Sequence, residues 1–119
     1  MTTPNIVRVA AINGNTVAAN VITYSANVVV NPTGSNQLYK IYSLHLCNYT
    51  GAAVTANVTI GIGTVANNYL VGTVTVPAYS TFIPITKDNG VYVNEGQYVQ
   101  CSCSANSSLW AVSSYEVIT

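Results

Sequence analysis

Short stretches in which β-branched or aromatic residues alternate with Asn, Thr, Ser and Gly run through most of the chain, and clusters of Asn, Gly, Pro and Ser separate them. That two-residue period belongs to strands with one face turned inward, and no stretch carries the 3.6-residue period of an amphipathic helix. Residues 54–62 are the clearest case: Val54, Ala56, Val58, Ile60 and Ile62 alternate with Thr55, Asn57, Thr59 and Gly61. Residues 69–76 repeat the alternation through Leu70, Gly72, Val74 and Val76, and Pro77-Ala78-Tyr79-Ser80 closes that strand. In residues 38–49 the period puts Tyr42, Leu44 and Leu46 on one face and Ile41, Ser43, His45 and Cys47 on the other. Apolar groups on both faces predict a central strand there.

Further strands are predicted over 81–86, 91–93, 97–104 and 109–118, separated by the turns Lys87-Asp88-Asn89-Gly90 and Asn94-Glu95-Gly96. Residues 21–30 read as extended chain interrupted near 25–27, and Asn31-Pro32-Thr33-Gly34-Ser35-Asn36 is a loop cluster. Residues 1–17 read as an N-terminal arm, with one short strand at 6–12 and a turn at Asn13-Gly14-Asn15. The sum is an all-β protein: an antiparallel β-sandwich, jelly-roll-like, of about eight strands over residues 18–119, preceded by an extended arm over 1–17.

Composition sharpens this picture. Of 119 residues only 5% are charged, against about 25% in ordinary soluble domains. Three basic residues (Arg8, Lys40, Lys87) balance three acidic ones (Asp88, Glu95, Glu116), so no long-range field draws in phosphates or acidic lipids. Nucleic acid and membrane are therefore not expected partners. A neutral surface repels its own copies weakly, so a homo-oligomer, most simply a trimer, is expected. No secretory signal or bilayer-length apolar run is evident, and synthesis in a cytoplasm is expected.

Candidate chemistry is sparse. With one His, three carboxylates and three cysteines, the chain offers few ways to build an acid-base pair, and no enzyme activity is expected. His45 and Cys47 share one strand face, which makes them cross-strand neighbours rather than a dyad aimed at a substrate. Cys101-Ser102-Cys103 reads as strand, unlike the tight turns that hold zinc, so these thiols are expected in the core and neither metal nor cofactor is expected. Sequons at Asn48, Asn57 and Asn106 are what a chain rich in Asn, Ser and Thr produces by chance. Tyr24, Tyr39, Tyr42, Tyr69, Tyr79 and Trp110 are the candidate interface anchors, because aromatic rings bury area at low entropic cost. The same rings also suit stacking on sugars.

The order of motifs resembles one family. A strand ending in Leu44-His45-Leu46-Cys47-Asn48 leads through Thr50-Gly51 into an alternating Val/Thr strand. Later come a Tyr-Leu strand ending in Val76-Pro77-Ala78, then Val91-Tyr92-Val93, Asn94-Glu95-Gly96-Gln97, and Ser114-Tyr115-Glu116-Val117-Ile118-Thr119. Over roughly residues 20–119 this is similar to the small β-sandwich virion proteins of tailed bacteriophages, although Gln97 stands where that turn usually has Asp. The resemblance implies a capsid decoration (cement) protein that binds the major capsid protein on the virion surface as a symmetric oligomer. A tail, neck or fibre-adaptor component and a carbohydrate-binding host-attachment module are the alternatives. The family pattern carries no catalytic residue.

Overall fold

The computed structural model of the chain describes residues 10–21, 26–62, 65–105 and 107–119. Among these residues nine strands form two antiparallel sheets that pack as a β-sandwich. The first sheet has the order β1 (Ile12–Val21), β9 (Leu109–Ile118), β3 (Leu38–Asn48), β6 (Thr81–Ile85), with β7 (Val91–Val93) also paired to β3. The second has the order β2 (Ala26–Val30), β8 (Gln97–Cys103), β4 (Val54–Ile62), β5 (Val65–Val76). The count exceeds the expected eight or so because β1 forms over residues largely assigned to the arm, while a single 3-10 turn, Lys87–Asn89, separates β6 from β7 along the same flank of β3 as expected. Asn89 Oδ1 stops the chain there by accepting hydrogen bonds from both the backbone N–H and the hydroxyl of Thr86.

The core lies between the sheets. Val21, Ile41, Leu44, Leu46, Val58, Val99 and Leu109 have almost no exposure, and each such aliphatic side chain contributes about 1.5–3 kcal/mol by leaving water. Strand β3 is central as predicted, hydrogen-bonded to β9 on one side and to β6 and β7 on the other. Its facing differs from strict alternation. A register shift between Ile41 and Ser43 inserts one residue at Tyr42, so Ile41, Leu44 and Leu46 all reach the core and Tyr42 does not. A bulge resets the parity of everything after it, which an uninterrupted two-residue reading cannot capture.

The arm expected over 1–17 is shorter on its C-terminal side. Residues 12–17 belong to β1, which pairs with β9 from Ile12↔Ile118 to Val21↔Leu109. Asn13-Gly14-Asn15, expected as a turn, lies inside that ladder opposite Val117, Glu116 and Tyr115. Side chains hold it extended: Asn15 Nδ2 donates to Tyr115 Oη at 3.0 Å, and the Thr16 and Ser114 hydroxyls meet at 3.0 Å. Most of the short strand expected over 6–12 lies outside the described residues. No helix among the described residues is long and apolar enough to cross a membrane.

Candidate assembly surface

Among the described residues, two of the sandwich's outermost strands are long and carry neither charge nor proline along their edges. β1 ends the first sheet and β5 ends the second, with ten and twelve residues respectively. Neither INGNTVAANV nor VANNYLVGTVTV contains a charge or a proline. Monomeric β proteins blunt such edges with lysine, proline or brevity, because unpaired backbone N–H and C=O groups otherwise template another strand. The opposite edges are blunted: β2 and β6 have five residues each, β6 carries Pro84, and β7 has three. β5 is irregular along its paired side, with three register shifts against β4 and Thr73 at φ +41°. Asn57 Oδ1 repairs the ladder there, accepting from Thr73 N at 2.6 Å and Thr73 Oγ1 at 3.0 Å.

The five aromatic candidates among the described residues do not gather on one face. Tyr24 lies outside the described residues. Tyr39 is half-buried and stacks on Tyr115, ring centroids 5.2 Å apart. Loss of water around it, and then the neighbouring Tyr115, push the Tyr39 phenol above its ordinary pKa. Tyr42 sits half-buried at the bulge, beside a cleft of about 420 Å³ lined also by Ile12, Gly14, Lys40, Lys87 and Glu116. Trp110, 42% exposed, stands on the outer face of β9 opposite Asn20 of β1 and Cys47 of β3. Tyr69, 67% exposed, lies on the β5 edge. Tyr79, 77% exposed, occupies the turn before β6 at φ +53°, its ring close over Gly51. Three of the five are thus well exposed, on three separate parts of the surface.

The potential chemistry of the thiols and the imidazole is dispersed. His45 is exposed and Cys47 half-buried on the outer face of β3, while Cys101 and Cys103 are buried on β8 of the other sheet. Burial, then the neighbouring Cys103, push the Cys101 thiol up to about 12. The Cys103 thiol donates to Ala105 O at 2.8 Å. Among the described residues no three His, Cys, Asp or Glu side chains converge.

Polar organisation is concentrated instead at the two ends of β3, in residues the sequence marks only as turn formers. At its C-terminal end Asn48 is fully buried. Its Nδ2 donates to Ala52 O at 2.8 Å and to Val76 O and Pro77 O at 3.1 Å each. Its Oδ1 accepts from Thr50 N at 3.0 Å and Thr50 Oγ1 at 2.7 Å. At the N-terminal end Asn31 is equally buried and donates from Nδ2 to Gln37 O at 3.0 Å and Val93 O at 2.9 Å. Its Oδ1 accepts from Ser35 Oγ at 2.6 Å. Beside it Glu95, 7% exposed, accepts through Oε2 from Gly34 N at 3.1 Å, and its Oε1 has no partner. The sequon asparagines Asn48 and Asn57 are therefore structural clamps, and Asn106 lies outside the described residues.

No protein-family profile matches the sequence, and no curated protein matches it. Among solved structures it is similar to a Bacillus protein of the endospore appendages, described as a novel family of disulfide-linked pili. That likeness covers 91% of this chain and 85% of the other, with a TM-score of 0.54 and 14% identity. At such low identity what is shared is the fold. The likeness corrects the role expected from sequence: the protein sharing this sandwich is a bacterial appendage pilin and not a phage capsid decoration protein, and no phage family is indicated. The error has a physical source, because alternating strands and Asn/Gly turns specify a sandwich and are shared by every function mounted on it.

Proposed function

We propose that this chain is a non-enzymatic structural subunit that joins copies of itself into a filamentous bacterial surface appendage. The observation that carries the reading is the pair of long, uncharged, proline-free edges, β1 and β5, one on each sheet. Pairing the β1 edge of one copy with the β5 edge of the next leaves the same two edges free at the ends of the pair, so the contact can repeat, and it builds a filament when the rotation between copies does not close a ring. The near absence of charge supports it, since adjacent copies then meet with little repulsion. Similarity of fold to a pilus protein supports it as well. The strand orders β1-β9-β3-β6 and β2-β8-β4-β5, with β6 and β7 taken as one interrupted strand, favour a jelly-roll-like wiring of the subunit.

Cohesion in this reading is noncovalent. Cys101 and Cys103 are enclosed, which leaves Cys47 as the one cysteine near the surface, and one thiol per copy links a pair but cannot link a chain. The experiment is electron microscopy and light scattering of the purified protein across a concentration series, beside a variant carrying Ala18→Lys on β1 and Thr75→Lys on β5. Wild type should form filaments of uniform width, and the variant should stay monomeric with an unchanged melting temperature. Wild type that remains monomeric throughout, or filaments that survive both lysines, would reject the reading.

A further inference from the structure

Tyr98 combines burial with an unused hydroxyl. On β8 it alternates with the core residues Val99 and Cys101, which places it on the outer face of the second sheet, yet it is only 8% exposed. The ladder sets it between Val30 of β2 and Gly61 of β4. Among the described residues its phenolic oxygen has no hydrogen-bond partner. Nor is that oxygen sealed in, because the side-chain atom that is both enclosed and unpartnered among these residues is Glu95 Oε1. A tyrosine buried to this degree ordinarily finds a partner for its hydroxyl.

Tyr98 lines a cleft of about 500 Å³, a volume within the range of small-molecule sites. Gln100 and Asn27 line it too, facing each other across β8 and β2, and Gln100 Nε2 donates to Asn27 Oδ1 at 2.7 Å. That bond leaves an amide oxygen and one N–H free on Gln100 and two N–H groups free on Asn27. Thr33 adds a hydroxyl, and a Cβ at Gly96, where φ is +80°, would lie 3.1 Å from its Oγ1, so glycine gives that hydroxyl room. Val30 and Pro32 supply apolar surface. No lining residue is charged, whereas the cleft beside Tyr42 holds Lys40, Lys87 and Glu116.

These features select the ligand's chemistry. A charged ligand would give up water and meet no counter-charge, so a neutral one is favoured. The free amide oxygen, amide N–H groups and phenol call for neighbouring groups that each donate and accept, which hydroxyls do. Val30 and Pro32 call for C–H surface on the same molecule. A pyranose ring, with hydroxyls around its edge and C–H groups on its faces, meets all three demands. We infer that this cleft binds a neutral saccharide, with Tyr98, Gln100 and Asn27 hydrogen-bonding its hydroxyls. The site goes beyond the assembly reading and does not depend on it, because all its residues come from one chain.

The test uses the whole protein in its dispersed state, labelled with 15N so that NMR reads backbone and side-chain amides one by one. Maltose, cellobiose, lactose and N,N′-diacetylchitobiose are each titrated to about 20 mM, enough to detect millimolar binding. At least one of them should shift the side-chain amides of Asn27 and Gln100 and leave the Trp110 indole unmoved. Tyr98→Phe deletes only a hydroxyl that no described part of the chain uses, so it should keep the wild-type melting temperature and weaken binding about fivefold. Gln100→Leu should abolish binding. Four disaccharides that all leave Asn27 and Gln100 unshifted overturn the inference, as do shifts centred on Trp110 instead of the cleft. A Tyr98→Phe variant that binds as tightly as wild type overturns it equally, and this variant decides alone should Gln100→Leu fail to fold.

Discussion

The two ends of β3 solve the same problem with the same residue and reach different outcomes. At one end Asn48 serves three carbonyls with its amide N–H groups and receives two donors on its oxygen, so the polar groups gathered there are matched within the chain. At the other end Asn31 ties Gln37, Val93 and Ser35 in the same manner, yet Glu95 beside it keeps a buried oxygen with nothing to accept from. A neutral amide both donates and accepts, so it can finish a loop cluster by itself; a carboxylate oxygen only accepts, and Oε1 finds no donor there. One end is complete as a folding device, and the other keeps one unmatched buried oxygen.

The largest effect that would break this comparison is at the finished end. Asn48→Ala should cost on the order of 3 kcal/mol in urea unfolding, because it removes the hydrogen bonds to Ala52, Val76, Pro77 and Thr50 at once and leaves the buried Val76 carbonyl without that donor. Asn31→Ala should cost about 2 kcal/mol in the same assay, since it frees two carbonyls and the Ser35 hydroxyl. A cost at Asn31 equal to or above that at Asn48 would erase the asymmetry. Glu95→Gln should be stabilising by roughly 1 kcal/mol in the same assay, because the isosteric amide replaces a buried carboxylate whose Oε1 is unpartnered.

A smaller effect comes from between the ends, where Cys101 faces the core. Burial, and then the neighbouring Cys103, push its thiol up to about 12, well above the range of a free thiol. Above pH 9 the unfolded chain releases this proton and the folded one keeps it, so stability falls as pH climbs from 9 toward 12, by on the order of 1 kcal/mol per pH unit. Urea midpoints measured at pH 8, 9 and 10 should show this decline, and Cys101→Ala should flatten it. The same geometry makes Cys47 the thiol that alkylates in the native protein.

The sequence was informative where side-chain period alone decides structure. Strands β4, β8 and β9 follow alternation over most of their length, and their predicted spans agree with the structure to within a residue or so. The pattern misled where a local hydrogen bond or an inserted residue decides. Asn13-Gly14-Asn15 has turn composition, but the ladder to β9 and the Asn15–Tyr115 bond keep it extended. The bulge at Tyr42 likewise reverses the facing of Leu44 and Leu46 relative to Ile41. The polar clamps were visible only as turn residues, because burial of Asn31, Asn48 and Glu95 depends on loops brought together from distant parts of the chain. The edges that carry the assembly reading were not legible at all, since strand order is a property of the sheet and not of any one segment.

Hydrogen–deuterium exchange on dispersed and assembled protein, read at single amides, tests the self-assembly claim most directly. Edge amides that face water exchange quickly, and the same amides paired to another copy do not. The account predicts that assembly slows exchange by about 100-fold or more at alternate residues of β1 and β5, and leaves the short edges β2 and β6 unchanged. Assembled protein in which β1 and β5 exchange as fast as in the dispersed chain would contradict it.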